Sequence, residues 1–211
     1  LVKELLFSLC SLYHQKDPLE LFFNRVFFFE NICPINTKED LDEDEFELVP
    51  LEKKDILLDS RPFFEMFGIL NNSFYINSVK LLQRAIEDKR IRMFALYESE
   101  KHEIMLAGII TEYQGETQDT DYVLNLDTAE NEKRNIPQIL STHYLDENFY
   151  KMKSVNILRF AKNPMIQNDF IGSKCLSLLT QFFENEHIDY ISASYNSTPG
   201  LLRFWIRNDF I

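Results

Sequence analysis

Apolar positions recur at helical spacing from Leu1 to Tyr13 (Leu1, Leu5, Leu6, Leu9, Leu12, Tyr13). The pattern breaks at Gln15–Pro18, where Asp17 reads as an N-cap with Pro18 at the first helical position. The helix predicted over Leu19–Glu30 carries Phe22, Phe23, Val26, Phe27 and Phe29. That apolar arc is too wide for a solitary surface helix, so it calls for a partner element. Asn31–Asp44 is a turn and an acidic linker. Beyond it, Phe46–Pro50 reads as a short strand, and Leu51–Ser60 and Arg61–Leu70 as two short helices. Val79–Asp88 is predicted as an amphipathic helix with Val79, Leu82 and Ile86 on its apolar face. The period then changes to two. Ile91–Glu98 alternates, and Ile104–Tyr113 follows across a charged turn, which predicts a hairpin. A polar stretch holds one more candidate strand, Tyr122–Leu126. After it the pattern gives a helix at Ile136–Tyr144, a strand at Val155–Ala161, a helix at Ile171–Glu186, a strand at Asp189–Ser194 and a helix at Gly200–Arg207. Strands interleaved with helices predict an α/β domain with a mixed sheet flanked by helices over 46–211, behind a helical N-terminal segment.

Composition narrows the class. With 45% hydrophobic residues in 211, a sizeable core is expected. The net charge of −12 lacks the basic balance of a nucleic-acid footprint. The acid is concentrated in the Glu39–Glu47 run, however, and from Lys151 on the chain is close to neutral. Cys10, Cys33 and Cys175 have no paired spacing, so a disulfide framework or a zinc site is not expected and a reducing, cytoplasmic setting is. Cys175 falls on the apolar pattern of its helix and reads as a core thiol. No apolar run approaches the ~20 residues of a membrane span. The opening is not a signal peptide and begins at Leu1, so the chain is expected to be a piece of a longer protein.

The stretch from Ser154 to Leu179 carries the strongest chemical signal. An apolar strand runs into a polar turn at Pro164, and an apolar helical pattern opens around Gly172. A helix N-terminus offers unpaired N–H groups and a positive dipole end, which suits a phosphate or pyrophosphate.

From Ser192 the chain reads S-A-S-Y-N-S-T-P-G-L-L-R-F-W-I-R-N-D-F. Earlier come V-N-I-L-R-F-A-K-N-P from Val155, N-I-P-Q-I-L-S-T-H over Asn135–His143, and D-P-L-E over Asp17–Glu20. In this order the pieces resemble the tRNA(Met) cytidine acetyltransferase family, over nearly the whole chain, with T-P-x-L-x-R-F-W the most specific. The resemblance implies a GNAT-fold acetyltransferase domain over 46–211, short of its C-terminal strands. Residues 1–45 would then be the helical tail of a helicase-like module and an acidic linker. The implied activity is transfer of acetyl from acetyl-CoA to N4 of the wobble cytidine of tRNA(Met), with ATP handled by a preceding module. The G-x-x-x-x-G-K-[ST] loop of that module does not occur in this chain.

The resemblance also assigns residues. Acetyl-CoA contacts carry over to Phe160, Ala161 and Lys162, to Gln167, Asn168, Asp169, Phe170, Ile171, Gly172 and Ser173, and to Arg207. A free strand edge would pair with the pantetheine amides, the loop and helix start would hold the pyrophosphate, and Arg207 would add a charge-assisted contact. Phe160 and Ala161 equally fit plain core positions, and Arg207 a solvated surface. Two residues depart from the family loop. Phe170 stands where the first glycine would be and is expected to obstruct the pyrophosphate, and Asp169 adds negative charge beside it. His143 matches the family's histidine and is the candidate general base, or a histidine that merely closes a helix. Lys133, Arg134, Lys151, Lys153 and Lys162 are the candidate contacts to RNA. Two other readings stay open: a GNAT-like module kept for RNA binding or interaction without catalysis, and a GNAT enzyme acting on a protein or a small amine.

Overall fold

The structure is a computed structural model and describes residues 46–55, 58–73, 79–98, 104–115, 136–166 and 170–210. The helices expected before residue 46 and the strand expected at Tyr122–Leu126 lie outside the described residues. Among the described residues no helix is long and apolar enough to cross a membrane.

Five strands form one sheet in the order β1-β2-β3-β4-β5: β1 (Phe46–Pro50), β2 (Ile91–Glu98), β3 (Met105–Gly115), β4 (Lys153–Lys162) and β5 (Tyr190–Ala193). The first four are mutually antiparallel, and β5 joins β4 in parallel. The sheet is therefore mixed, as the interleaved pattern predicts. Six helices accompany it among the described residues: α1 (Arg61–Ser73), α2 (Val79–Glu87), α3 (Ile136–Tyr144), α4 (Asn148–Lys151), α5 (Phe170–Asn185) and α6 (Pro199–Arg207).

Alternation on the strands divides the core in two. Phe94 and Leu96 of β2, Ala107 and Ile109 of β3, and Val155 and Ile157 of β4 face α5, where Ile171, Cys175, Leu176, Leu179 and Phe183 meet them. Met93, Ala95, Ile110 and Ala161 face α1, which buries Phe63, Met66, Phe67, Ile69 and Leu70. Both faces are covered, which is why β2 and β3 are apolar nearly throughout.

Two expectations change. Over its described residues Leu51–Ser60 is a run of turns, with Asp55 N–H donating to the Glu52 carbonyl and Leu58 exposed. The helix waits until Arg61, where Asp59 accepts the Arg61 N–H and Pro62 occupies the first turn. On α2 the inward line is Leu81 and Ala85, while Ile86 is exposed. The helix is turned so that its smallest apolar residue allows close approach to the sheet.

Tight joints fix the remainder. The turn after α5 closes at His187, in the left-handed region with φ 58°, and the Ile188 N–H reaches back to the Phe183 carbonyl. Gly115 ends β3 at φ 102°, and a Cβ there would lie 1.9 Å from the Met152 carbonyl oxygen. Gly115→Ala is therefore expected to cost about 2–4 kcal/mol and lower the thermal midpoint by about 5–12 °C. Calorimetry checks this, and a shift under about 2 °C would refute it.

Candidate functional site

The site grows out of β4. Its start is pinned to the start of β5: Lys153 N–H donates to the Asp189 carboxylate at 2.7 Å, and Asp189 N–H donates to the Lys153 carbonyl at 2.8 Å. Pairing then runs from Ser154 opposite Tyr190 to Ile157 opposite Ala193, and stops. At that point β4 carries an extra residue. Thr111 of β3 faces Ile157 and Ile110 faces Arg159, so Leu158 has no counterpart. A bulge bends its strand and increases the local twist. The Arg159 guanidinium donates to the Leu158 carbonyl at 2.7 Å, giving the displaced carbonyl a partner. Past the bulge, Arg159 to Lys162 stay paired to β3, while β5 pairs with β4 no further than Ile157. The two strands part, and β4 keeps a backbone edge that β5 does not use.

The turn after β4 is held by Asn163, which is fully buried. Its N–H donates to the Leu106 carbonyl at 2.8 Å and its side-chain amide to the Met105 carbonyl at 3.0 Å. Its Oδ1 accepts the Met165 N–H at 3.0 Å, and its carbonyl accepts the Ile166 N–H at 3.1 Å. One side chain thus ties the loop leading to α5 to β3. In the sequence its signal is the Asn163-Pro164 pair, a turn initiator.

The predicted coenzyme residues separate into three groups. Phe160 and Gly172 come together with α6. The Phe204 ring is 6.1 Å from that of Phe160, and a Cβ on Gly172 would meet Phe204 at 3.1 Å. Gly172 lies in the first turn of α5, so its missing side chain lets α6 approach the helix start. Lys162 ends the strand, half-buried, and Arg207 is exposed in the last turn of α6. In the second group, Ala161 turns its side chain to the α1 face and offers the site only backbone, Ile171 is buried in the α5 core, and Ser173 is half-buried behind it. Gln167, Asn168 and Asp169 form the third group and lie outside the described residues.

Phe170 corrects an expectation. Its ring stacks on Phe46 of β1, centroids 5.7 Å apart and 13° between planes, on the core side of the helix start. It serves as a packing residue there. His143 is also placed unexpectedly. It is exposed at the end of α3, and a chain of rings leads from it to Tyr144 (5.0 Å), Phe149 (6.0 Å) and Tyr190 (6.4 Å). Tyr190 begins β5, so His143 belongs to the closed end of the strand pair, and the structure does not bring it beside Phe160–Lys162. Cys175 is fully buried, and burial pushes its thiol up, which makes it a core residue and not a nucleophile.

The described residues form a mixed sheet whose last two strands part after a bulge, with a helix following the loop at its edge. The GNAT acetyltransferase 2 family model matches residues 65–187, more than half of the chain. The chain belongs to that family. It is also similar to tRNA(Met) cytidine acetyltransferases named TmcA. The relative from Haloarcula marismortui is 27% identical over 94% of this chain and 25% of its own length. That from Vibrio cholerae is 26% identical over 92% of this chain and 27% of its own length. That from Pyrococcus furiosus is 32% identical over 36% of this chain and 9% of its own length. The chain spans about a quarter of the length of the first of these relatives.

Two outcomes test the site's architecture. Asn163→Ala, which leaves the Met105 carbonyl without its side-chain donor and the Met165 N–H without its side-chain acceptor, is expected to cost about 2–3 kcal/mol and to speed amide exchange in the loop before α5. Unchanged exchange there would remove its anchoring role. Phe170→Gly is expected to lower the thermal midpoint by several degrees, through lost ring stacking and a helical glycine, without tightening acetyl-CoA binding. Tighter binding in a titration would restore the obstruction account.

Proposed function

We propose that this chain binds acetyl-CoA in the opening between β4 and β5 and, within a longer enzyme, transfers the acetyl group to N4 of the wobble cytidine of tRNA(Met). The observation that carries the coenzyme reading is the end of β4–β5 pairing at Ile157, beside the Leu158 bulge. The substrate reading is supported by the printed activity of the relatives.

The residues fit the coenzyme by type and place. Backbone N–H and C=O groups on the open edge of β4 suit the amides of a pantetheine arm. The N–H groups and dipole at the start of α5 suit a pyrophosphate. Lys162 at the end of β4 and Arg207 on α6 would supply positive charge. Bound acetyl-CoA supplies an acetyl thioester. Cytosine N4 is a weak nucleophile because its lone pair is delocalised into the ring. Catalysis on this reading is therefore positioning of that amine and removal of its proton. His143 remains the proposed base by its match to the family's histidine alone, which requires the cytosine to approach from the closed end of β4–β5. Lys151 and Lys153 lie at that same end of the sheet and suit the RNA backbone. ATP is assigned to a module outside this chain.

The test is transfer of labelled acetyl from acetyl-CoA to a tRNA(Met) transcript by the full-length protein. Label is expected in the cytidine fraction of a nucleoside digest, and none with a transcript carrying uridine at the wobble position. Label on a protein or polyamine instead would refute the RNA reading. His143→Gln is expected to slow transfer about 10²-fold at neutral pH and to flatten the acid limb of the rate profile. An unaltered profile would exclude His143 as base.

A further inference from the structure

Trp205 is the one tryptophan in the sequence and is 6% exposed. Four rings surround its indole. Tyr195 stacks on it at 5.5 Å with 21° between planes. Phe160 lies 6.5 Å away, Phe204 5.4 Å and Phe210 4.7 Å, all edge-on. Phe160 stands on the stretch of β4 past the bulge, and Tyr195 follows the end of β5. The indole therefore spans the place where the two strands have parted. Its Nε1–H is buried and has no acceptor among the described residues. Indole nitrogen is a donor only, and native interiors rarely leave such a group unpaired.

We propose that Trp205 is a positioning residue that donates its indole N–H to a carbonyl of the coenzyme's pantetheine arm, and so fixes how deep the arm sits between β4 and α6. The inference rests on the acetyl-CoA reading of the same opening. A neutral carbonyl is the acceptor this pocket suits. It needs a single donor, whereas a phosphate among four aromatic rings would be desolvated with one hydrogen bond to replace its water. The sequence pattern placed Trp205 in a motif. The exchange of partners across the parted strands is what gives it a role.

The indole reports on itself. In the full chain, labelled with nitrogen-15, the one indole N–H resonance is expected to move downfield and to exchange more slowly with solvent as acetyl-CoA is added. Coenzyme A producing the same change assigns an amide carbonyl as acceptor; acetyl-CoA alone producing it assigns the thioester carbonyl. Trp205→Phe keeps a ring in the cage and removes the donor. It is expected to weaken acetyl-CoA binding about two- to tenfold by calorimetry, the range that one neutral hydrogen bond supplies, with a little-changed thermal midpoint. Wild-type binding with an unmoved indole resonance, or an unchanged affinity in a folded Trp205→Phe, overturns the role and leaves the coenzyme reading intact. Absence of acetyl-CoA binding by the wild type removes both. Should Trp205→Phe not fold, the wild-type resonance decides.

Discussion

Strand β4 is bonded on both sides over its first half and to β3 alone over its second. Everything that gives this protein a site follows from that asymmetry. Asp189 locks the starts of β4 and β5 together, so the strands cannot drift apart there. The extra residue at Leu158 turns the strand just where pairing with β5 ends. Past that point the two strands leave an opening between them.

The walls of the opening are apolar and mutually dependent. Gly172 admits Phe204, Phe204 meets Phe160, and Trp205 links both to Tyr195. Thr198 caps α6 by accepting the Leu201 N–H, with Pro199 at the first helical position, which sets where this aromatic face begins. On the other side Asn163 ties the loop to β3. Lys162 is half-buried at the end of β4 and Arg207 is exposed on α6, so positive charge lies near this part of the sheet although the chain as a whole is acidic.

Much of this was legible beforehand. Periodicity carries most of the element assignments, and β1, β2, β3, β4, β5, α2, α3, α5 and α6 appear within about two residues of the expected bounds. The failures have one cause. The apolar residues of Leu51–Ser60 resemble a helix face, yet no core lies there to receive Leu58. On α2, Leu81 and Ala85 pack against the sheet while Ile86 of the expected apolar line is exposed. Phe170 looked like an obstacle because a motif compares positions in a line; a ring's direction is set by the helix that bears it and by Phe46 on a strand far away in sequence.

By itself the sequence determined the order of strands and helices, the mixed character of the sheet, the strand–loop–helix that could seat an anion, and the family likeness. These are local properties, carried by period, turn residues and contiguous motifs. Only the tertiary structure decided that β4 and β5 part after Ile157, that Gly172 serves helix approach, that His143 lies at the closed end and that the Trp205 indole N–H is buried with no acceptor among the described residues. Each of those depends on residues tens of positions apart meeting across the sheet, and no local pattern encodes which of several apolar faces will meet which.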